Sequence, residues 1–291
     1  MLKKNWSALP KKIRHKSKIG LWSKTMKYFA FSTLLLFGST VTSLADIVVG
    51  ISTGTSTYGY EYSYPYQDYS GNQDTSSYNE DIDFTYQDTS VTFQNENGSS
   101  WTIKFGGLQE ETGYSAYYDD SSAKRDEYSL TYSSANNNGI AWFAGYYASE
   151  AKLSQTDNYV GAFADYVFNY NTDIETSGFF VGISVNDYLN DFASWYLRGA
   201  LQLNWTTFSD VYSWESSLGS TGGSPFSKDL SGVAMLFGGG IYVPVTDAIG
   251  VNFGLESKSY SYDNELEAVY EETTTLSETQ TSLVIGLMLS F

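Results

Sequence analysis

The side chains that carry most enzyme and metal chemistry are nearly absent from this sequence. Its 291 residues contain no cysteine and a single histidine, His15, which lies in a basic N-terminal segment. If that segment is removed as an export signal, the mature chain can build neither a Ser-His-Asp or Cys-His catalytic set nor a metal site with His or Cys ligands. Asp and Glu total 33, but no spacing among them indicates a particular acid–base pair. We therefore expect no enzymatic activity, no resident metal and no cofactor.

Four pairs of adjacent acidic residues offer another route to a cation. They lie in polar stretches and are Glu80-Asp81, Glu110-Glu111, Asp119-Asp120 and Glu271-Glu272. None follows the spaced Asp/Asn and Gly pattern of a calcium loop, so solvated loop charge is the favoured interpretation. Divalent cations at these acidic loops stay open as an alternative. The net charge of −17 argues against nucleic acid as a partner, because phosphates require Lys and Arg.

The few basic residues beyond the N-terminal segment are more specific. On the strands described below, one face carries opposed charges, with Glu127 as a further candidate: Lys104, Asp165, Arg198, Glu256 and Lys258. In an open pore these charges would set a transverse field that selects ions or small solutes. In a closed barrel they would form an ion-pair network, because buried charges are costly unless paired. Both interpretations stay open; ten strands favour the filled lumen and twelve a narrow channel.

The segment Trp195–Trp205 shows which elements position these charges. Trp195, Leu197, Leu201, Leu203 and Trp205 share one face, while Arg198 and its polar neighbours share the other. A period of two predicts a strand. The two tryptophans are about 33 Å apart along it, or roughly 25 Å of depth at a tilt near 40°, which is the height of a membrane-spanning apolar band with an aromatic girdle.

Other segments repeat this alternation and are separated by turn signals. The candidate strands are 46–62, 82–94, 99–109, 126–133, 140–149, 158–170, 177–187, 232–243, 248–262 and 281–291. Turns are predicted at Asn95–Gly98, Asn136–Gly139 and Pro244–Asp247. The longer polar stretches near 63–81, 110–125, 213–231 and 263–280 are predicted to be loops.

The last strand carries a family resemblance. Leu283, Ile285, Leu287, Leu289 and Phe291 alternate along it, and it ends in the aromatic Phe291. It resembles the carboxy-terminal assembly signal of bacterial outer-membrane β-barrels, a family of antiparallel up-and-down transmembrane barrels. The resemblance implies outer-membrane lipid, lipopolysaccharide and the barrel assembly machinery as partners. No subfamily is indicated.

The first 45 residues have the pattern of a cleaved export signal. Residues 1–27 hold nine Lys or Arg and no acid, and an apolar run over 28–37 leads to small residues ending at Ala45. The run is shorter than the ~20 apolar residues of a spanning helix. We expect cleavage before Asp46, with Met26 as a possible true start. Residues 46–291 then form one barrel domain with seven basic residues against 33 acids.

The number of strands is not settled by this pattern. Eleven segments are counted, yet both ends of the barrel chain should lie in the periplasm, which requires an even number. Either Thr206–Trp214 is a further strand, giving twelve, or one early segment is a loop, giving ten. Twelve is favoured. The weakest segment is 82–94, because Phe84 and Phe93 lie in opposite phases and would need a bulge between them.

A tyrosine-rich stretch after the first strand has two interpretations. Tyr58, Tyr60, Tyr62, Tyr64 and Tyr66 alternate and would share one face. They could stack on sugars at the surface, although an aromatic girdle that runs into a loop is favoured. If Ile47, Val49 and Ile51 face lipid, these tyrosines face the lumen instead.

We therefore predict a single outer-membrane β-barrel of a Gram-negative-type bacterium. Its leading predicted function is a small porin-like channel for passive diffusion of ions or small solutes. The alternative is a closed structural or surface-binding barrel that acts through acidic, Tyr-rich extracellular loops.

Overall fold

Ten antiparallel strands form a closed barrel in the computed structural model, which describes residues 44–67, 73–115, 118–136, 138–263 and 275–291. The strands are β1 (Leu44–Gln67), β2 (Gln73–Asn95), β3 (Ser100–Thr112), β4 (Asp120–Ser133), β5 (Ile140–Val160), β6 (Asp165–Asn190), β7 (Ala193–Ser216), β8 (Thr221–Pro244), β9 (Ile249–Asp263) and β10 (Thr275–Ser290). Each strand pairs with its sequence neighbour, and β1 pairs with β10. In the described part of the chain, no helix is long and apolar enough to cross a membrane.

The ladder between β1 and β10 closes the barrel. It runs without a break from Val48 opposite Ser290 to Ser63 opposite Thr275. At its end, the Ile47 and Phe291 backbones exchange N–H···O bonds of 3.2 and 2.9 Å. We call this end, where β1 begins and β10 ends, the terminal end, and the opposite end the distal end. Closure gives every strand a hydrogen-bonded neighbour on each side, so the barrel has no edge strand.

The predicted strand number of twelve is wrong, and the alternative of ten is correct. The segment 158–170 is the hairpin between β5 and β6, and 177–187 is the continuation of β6. Thr206–Trp214 likewise continues β7. The strands reach 26 residues in β6, more than twice the about 9–11 residues needed to cross a bilayer. Beyond the apolar band the outward residues are polar, so the sequence pattern divides one long strand into two predicted elements.

The same extension corrects the predicted loops. Most of the described residues in the stretches 63–81, 110–125 and 213–231 lie in strands. The predicted bulge within 82–94 is also wrong, because β2 pairs with β1 in continuous register from Asp46 to Gln67. Phe84 therefore faces the interior, where it is buried, and Phe93 faces outward.

The three predicted turns lie at the terminal end, as short connections follow β2, β4 and β8 there. Gly98 and Gly139 each adopt φ of +81°, a conformation that favours glycine. Residues 1–43, which hold most of the predicted export signal, lie outside the described residues, while Leu44 and Ala45 begin β1.

An apolar band surrounds the terminal half of the barrel. Its outward side chains are large and exposed, among them Leu197, Leu201, Phe237, Ile241 and Phe253. On β7 the band ends at Trp205, after which Thr207 and Ser209 take the outward positions. The 11 residues from Thr206 to Ser216 carry β7 roughly 35 Å further towards the distal end.

We predict that Gly54→Ala destabilises the closing ladder. A Cβ at Gly54 would lie 1.8 Å from the carbonyl oxygen of Leu283 on β10, so the two strands would have to separate. The expected loss in the free energy of unfolding is about 1–3 kcal/mol, measured by urea titration of the refolded barrel. Gly199→Ala is the matched control, because its Cβ would lie 3.6 Å from the nearest atom, in the ring of Phe237. Equal stability of the two variants would contradict the prediction.

Candidate functional site in the barrel lumen

The lumen is filled by side chains in its middle and distal parts. Every strand contributes at least one inward residue that is no more than 4 % exposed, such as Tyr58, Ile82, Leu108, Arg125, Leu153, Ile174, Phe208, Leu230, Tyr260 and Glu278. These residues form one contiguous cluster with aromatic rings around its charges. The described lumen is therefore packed with buried side chains at this level.

Four charged side chains lie at the centre of this filling. Arg125 on β4 forms ion pairs with Glu278 on β10 and with Glu127, to which its Nε donates at 3.2 Å. Lys258 on β9 donates to the second oxygen of Glu127 at 2.6 Å. Two cations and two carboxylates form this Arg125 cluster, which is neutral overall.

Tyrosines complete the coordination of the Arg125 cluster. Tyr58 and Tyr262 both donate to Glu278, the latter at 3.1 Å. The guanidinium of Arg125 lies 5.0 Å from the ring centroid of Tyr58 and 5.6 Å from that of Tyr260. Its Nη2 donates to the hydroxyl of Tyr147 at 3.2 Å. A buried charge is tolerated when such partners replace its hydration.

A second group of charges lies closer to the terminal end. Lys104 on β3 pairs with Asp88 on β2 at 2.9 Å and approaches Glu256 on β9 at 3.9 Å. Arg198 on β7 also pairs with Glu256. The Arg198 side chain is 43 % exposed and that of Lys104 28 %. These four residues, the Lys104 cluster, are again neutral in sum but line a part of the lumen that solvent reaches.

The structure brings four of the five predicted lumen residues together. Lys104, Arg198, Glu256 and Lys258 all face inward and belong to the two clusters. The prediction that Asp165 faces the lumen is wrong: it starts β6 at the distal end, is exposed, and shares its phase with the outward Val167. Sequence reasoning had placed it within a strand over 158–170 that does not exist.

The sequence pattern does not predict three residues that are central to the two clusters. Arg125 and Glu278 lie in stretches predicted to be loops, and Asp88 lies on a strand whose phase was unresolved. The alternation nevertheless continues through them, since Ala123, Arg125 and Glu127 share the inward face of β4. Following that phase beyond the apolar band would have found Arg125.

The tyrosine-rich stretch is part of the lumen. Tyr58 and Tyr60 are buried inside the barrel, and Tyr62 lies in the same phase with its ring 4.9 Å from that of Phe208 on the opposite wall. Ile51 faces outward, and the prediction that the tyrosines would then face the lumen is correct for these three residues. The favoured girdle interpretation is wrong for them. The structure does not describe the side chains of Tyr64 and Tyr66.

The residues predicted to face lipid lie on the outer surface. Trp205 is exposed and packs its ring 6.2 Å from that of Phe179, and Trp195 lies in the same phase near the terminal end. The side chains predicted as the assembly signal are outward on β10 and at the exposed residue that follows it, namely Leu283, Ile285, Leu287, Leu289 and Phe291. Their role in assembly remains a prediction.

Two of the three acidic pairs in the described ranges contact protein groups. Glu80 accepts hydrogen bonds from Tyr78 and from Gln155, and Asp119 accepts one from the backbone of Asn158 at 2.8 Å. Within the described ranges, no group of three or more His, Asp or Glu side chains is arranged to hold a metal ion. Glu271-Glu272 lies outside them.

Comparisons with known proteins bear on the fold. No family model matches the chain, and no curated protein matches its sequence. The outer-membrane protease OmpT of Escherichia coli is similar in structure, with a TM-score of 0.55, 10 % identity, and coverage of 85 % of this chain and 97 % of that one. The chain has the fold of a bacterial outer-membrane β-barrel. At this identity the likeness concerns the fold alone.

Two further solved barrels align over most of their length. The translocator domain of the autotransporter NalP from Neisseria meningitidis gives a TM-score of 0.48 at 8 % identity, covering 94 % of this chain and 98 % of that one. A FadL homologue of Pseudomonas aeruginosa gives 0.38 at 8 % identity, covering 85 % and 90 %.

We predict that Arg125→Ala is strongly destabilising. The substitution leaves the carboxylate of Glu278, whose side chain is fully buried, without its cation. The expected cost in the free energy of unfolding is about 3–5 kcal/mol. Lys124→Ala, one position away on the outward face, removes a solvent-exposed pair with Asp126 and should cost less than about 1 kcal/mol.

A double variant separates the charge from the loss of packing. Arg125→Leu with Glu278→Leu removes both charges and should recover much of the loss, because Glu127 keeps Lys258 as its partner. A double variant as unstable as Arg125→Ala would show that packing rather than unpaired charge sets the cost.

Proposed function

We propose that the protein spans the outer membrane of a Gram-negative-type bacterium, with the terminal end in the periplasm. The apolar band supports this, because a belt of large exposed apolar side chains around a barrel is typical of a surface that contacts lipid. The barrel fold shared with OmpT and the sequence patterns at both chain ends support it as well. Outer-membrane lipid and lipopolysaccharide would surround the band, and the assembly machinery would recognise β10.

We further propose that the barrel is closed and acts as a surface-binding protein through its distal part. The observation that carries this proposal is the ring of buried inward residues contributed by all ten strands, including Arg125 and Glu278. A lumen filled to this degree argues against passive diffusion of solutes and supports the closed barrel. The chemistry that remains accessible lies in the strands that extend beyond the apolar band.

The porin-like channel predicted from the sequence is the second candidate. The observation that favours it is the solvent-reached Lys104 cluster, in which opposed charges face one another across the terminal part of the lumen. Such a transverse field is typical of ion-selective constrictions. For conduction, the filling around Arg125 would have to move.

We predict that Leu201→Arg destabilises the protein in a bilayer. Leu201 is 61 % exposed on the outer face of β7, near the centre of the apolar band. Arginine there should cost about 2–4 kcal/mol of unfolding free energy in lipid vesicles. Ser209→Arg, on the same face of β7 but beyond the band, should cost less than about 1 kcal/mol. Equal costs would mean that this surface does not contact lipid.

We predict that the folded protein shows no steady conductance in planar bilayers. Folding is verified first by a different migration on denaturing gels before and after boiling. A discrete, stable open level would overturn the closed-barrel proposal and favour the channel. In that case Arg198→Glu should change ion selectivity, because the Arg198 side chain is solvent-reached in the lumen. Unchanged selectivity would exclude Arg198 from the conducting path.

A further inference from the structure

Strands β5, β6 and β7 carry an aromatic inner surface above the filled lumen. The register places Gln155 beside Tyr170, which lies opposite Tyr212. One row further towards the distal end, Asp157 lies beside Phe168, which lies opposite Trp214. We call Tyr166, Phe168, Tyr170, Tyr212 and Trp214 the aromatic wall. The outer face of the same rows is mainly polar, with Asn169, Asn171 and Ser213.

The rings of the aromatic wall form one connected surface. Centroid distances are 5.2 Å between Tyr170 and Tyr212, 6.2 Å between Tyr212 and Phe168, and 6.0 Å between Phe168 and Tyr166. Trp214 follows at 6.0 Å from Tyr166. All five rings are only half-buried. Aromatic area of this extent, left accessible beyond the apolar band, is typical of binding surfaces.

The opposite side of this distal mouth is also aromatic and acidic. Tyr118, from the connection between β3 and β4, lies 5.6 Å from Tyr170. Tyr118 and Glu80 line a cleft of about 350 Å³ that adjoins the wall. The side chain of Gln155 donates a hydrogen bond to Glu80 at 2.9 Å and so connects the two sides of the mouth. This contact lies between the aromatic wall and the lumen filling.

Carboxylates surround the wall. Burial raises the pKa of the Tyr170 phenol, and the negative charges of Asp157 and Asp210 close to it raise the pKa further. Asp210 accepts a hydrogen bond from Thr172 at 3.1 Å. On the distal side of the Arg125 cluster, Lys228 is the one basic residue of the described chain in inward phase, and it already has a partner. The mouth therefore presents aromatic faces in a negative field.

We propose that the distal mouth binds a basic peptide segment, with arginine guanidinium groups stacked on the aromatic wall and paired with Asp157 and Asp210. This inference rests on the proposed surface-binding function and names its ligand class. Guanidinium is planar, stacks on aromatic rings and pairs with carboxylates, so one group satisfies both features of the mouth. Anionic ligands would be repelled by the same carboxylates. A neutral glycan could stack on the aromatic rings but would not be attracted by the negative charge of the carboxylates.

The test uses the full refolded barrel and a short peptide with two arginines, compared with the same peptide carrying citrulline, the neutral isostere. Trp214 reports binding through its fluorescence, with Trp214→Phe as the baseline for the other tryptophans. We expect saturable binding of the arginine peptide that is at least about tenfold tighter than that of the citrulline peptide. Raising NaCl from about 50 to about 500 mM should weaken it.

Charge-matched variants locate the site. Asp157→Asn with Asp210→Asn should weaken arginine-peptide binding about tenfold or more. The control is Asp173→Asn with Glu215→Gln, which removes two charges from the outward face of the same extension and should leave binding unchanged. Equal effects of the two pairs would overturn the proposed site.

Two further outcomes would overturn the ligand class. One is equal binding of the citrulline peptide, and the other is tighter binding of a neutral oligosaccharide such as maltohexaose. If no probe binds while bilayer recordings still show a closed lumen, this inference fails and the closed barrel stands. A steady conductance would instead contradict the proposed function, which is a closed surface-binding barrel.

Discussion

The closed hydrogen-bonded ladder is the constraint on which the rest of the molecule depends. Backbone groups inside an apolar band have no water to bond to, so every strand must be paired on both edges. The pairing of β1 with β10 meets this requirement and fixes a strict alternation of inward and outward side chains. Any residue that enters the inner phase is then enclosed, whatever its chemistry.

Charges in that enclosure are balanced locally. Of the seven basic residues after Ala45, four lie in the lumen, and each contacts a carboxylate of Asp88, Glu127, Glu256 or Glu278. The pairs are spread over strands that are not all neighbours, as Arg125 on β4 and Glu278 on β10 show. They therefore brace the barrel across its interior rather than along one hairpin. Neutrality is what allows these charges to be buried among the apolar and aromatic side chains of the lumen.

The sequence predicts the parts of this structure that a two-residue period determines. The apolar face of Trp195–Trp205 and the inward phase of Arg198, Glu256 and Lys258 follow from it directly. It fails where the apolar band ends, because the outward residues become polar and the contrast between faces disappears. Arg125 and Glu278 lie in that region and were assigned to loops. The ion pair between Arg125 on β4 and Glu278 on β10 is a long-range contact across the lumen that no local pattern contains.

Neutrality of the lumen also determines where the excess negative charge acts. Only Lys124, Lys152 and Lys228 remain outside the two clusters, so the acids of the distal part are largely uncompensated. The Arg125 cluster and the Lys104 cluster are each neutral, so they do not cancel the negative electrostatic field of the distal acids. The filled lumen thus separates two environments, a balanced interior that stabilises the barrel and an acidic aromatic mouth exposed to solvent. The strands that extend beyond the band carry both the distal part of the lumen filling and the accessible mouth above it.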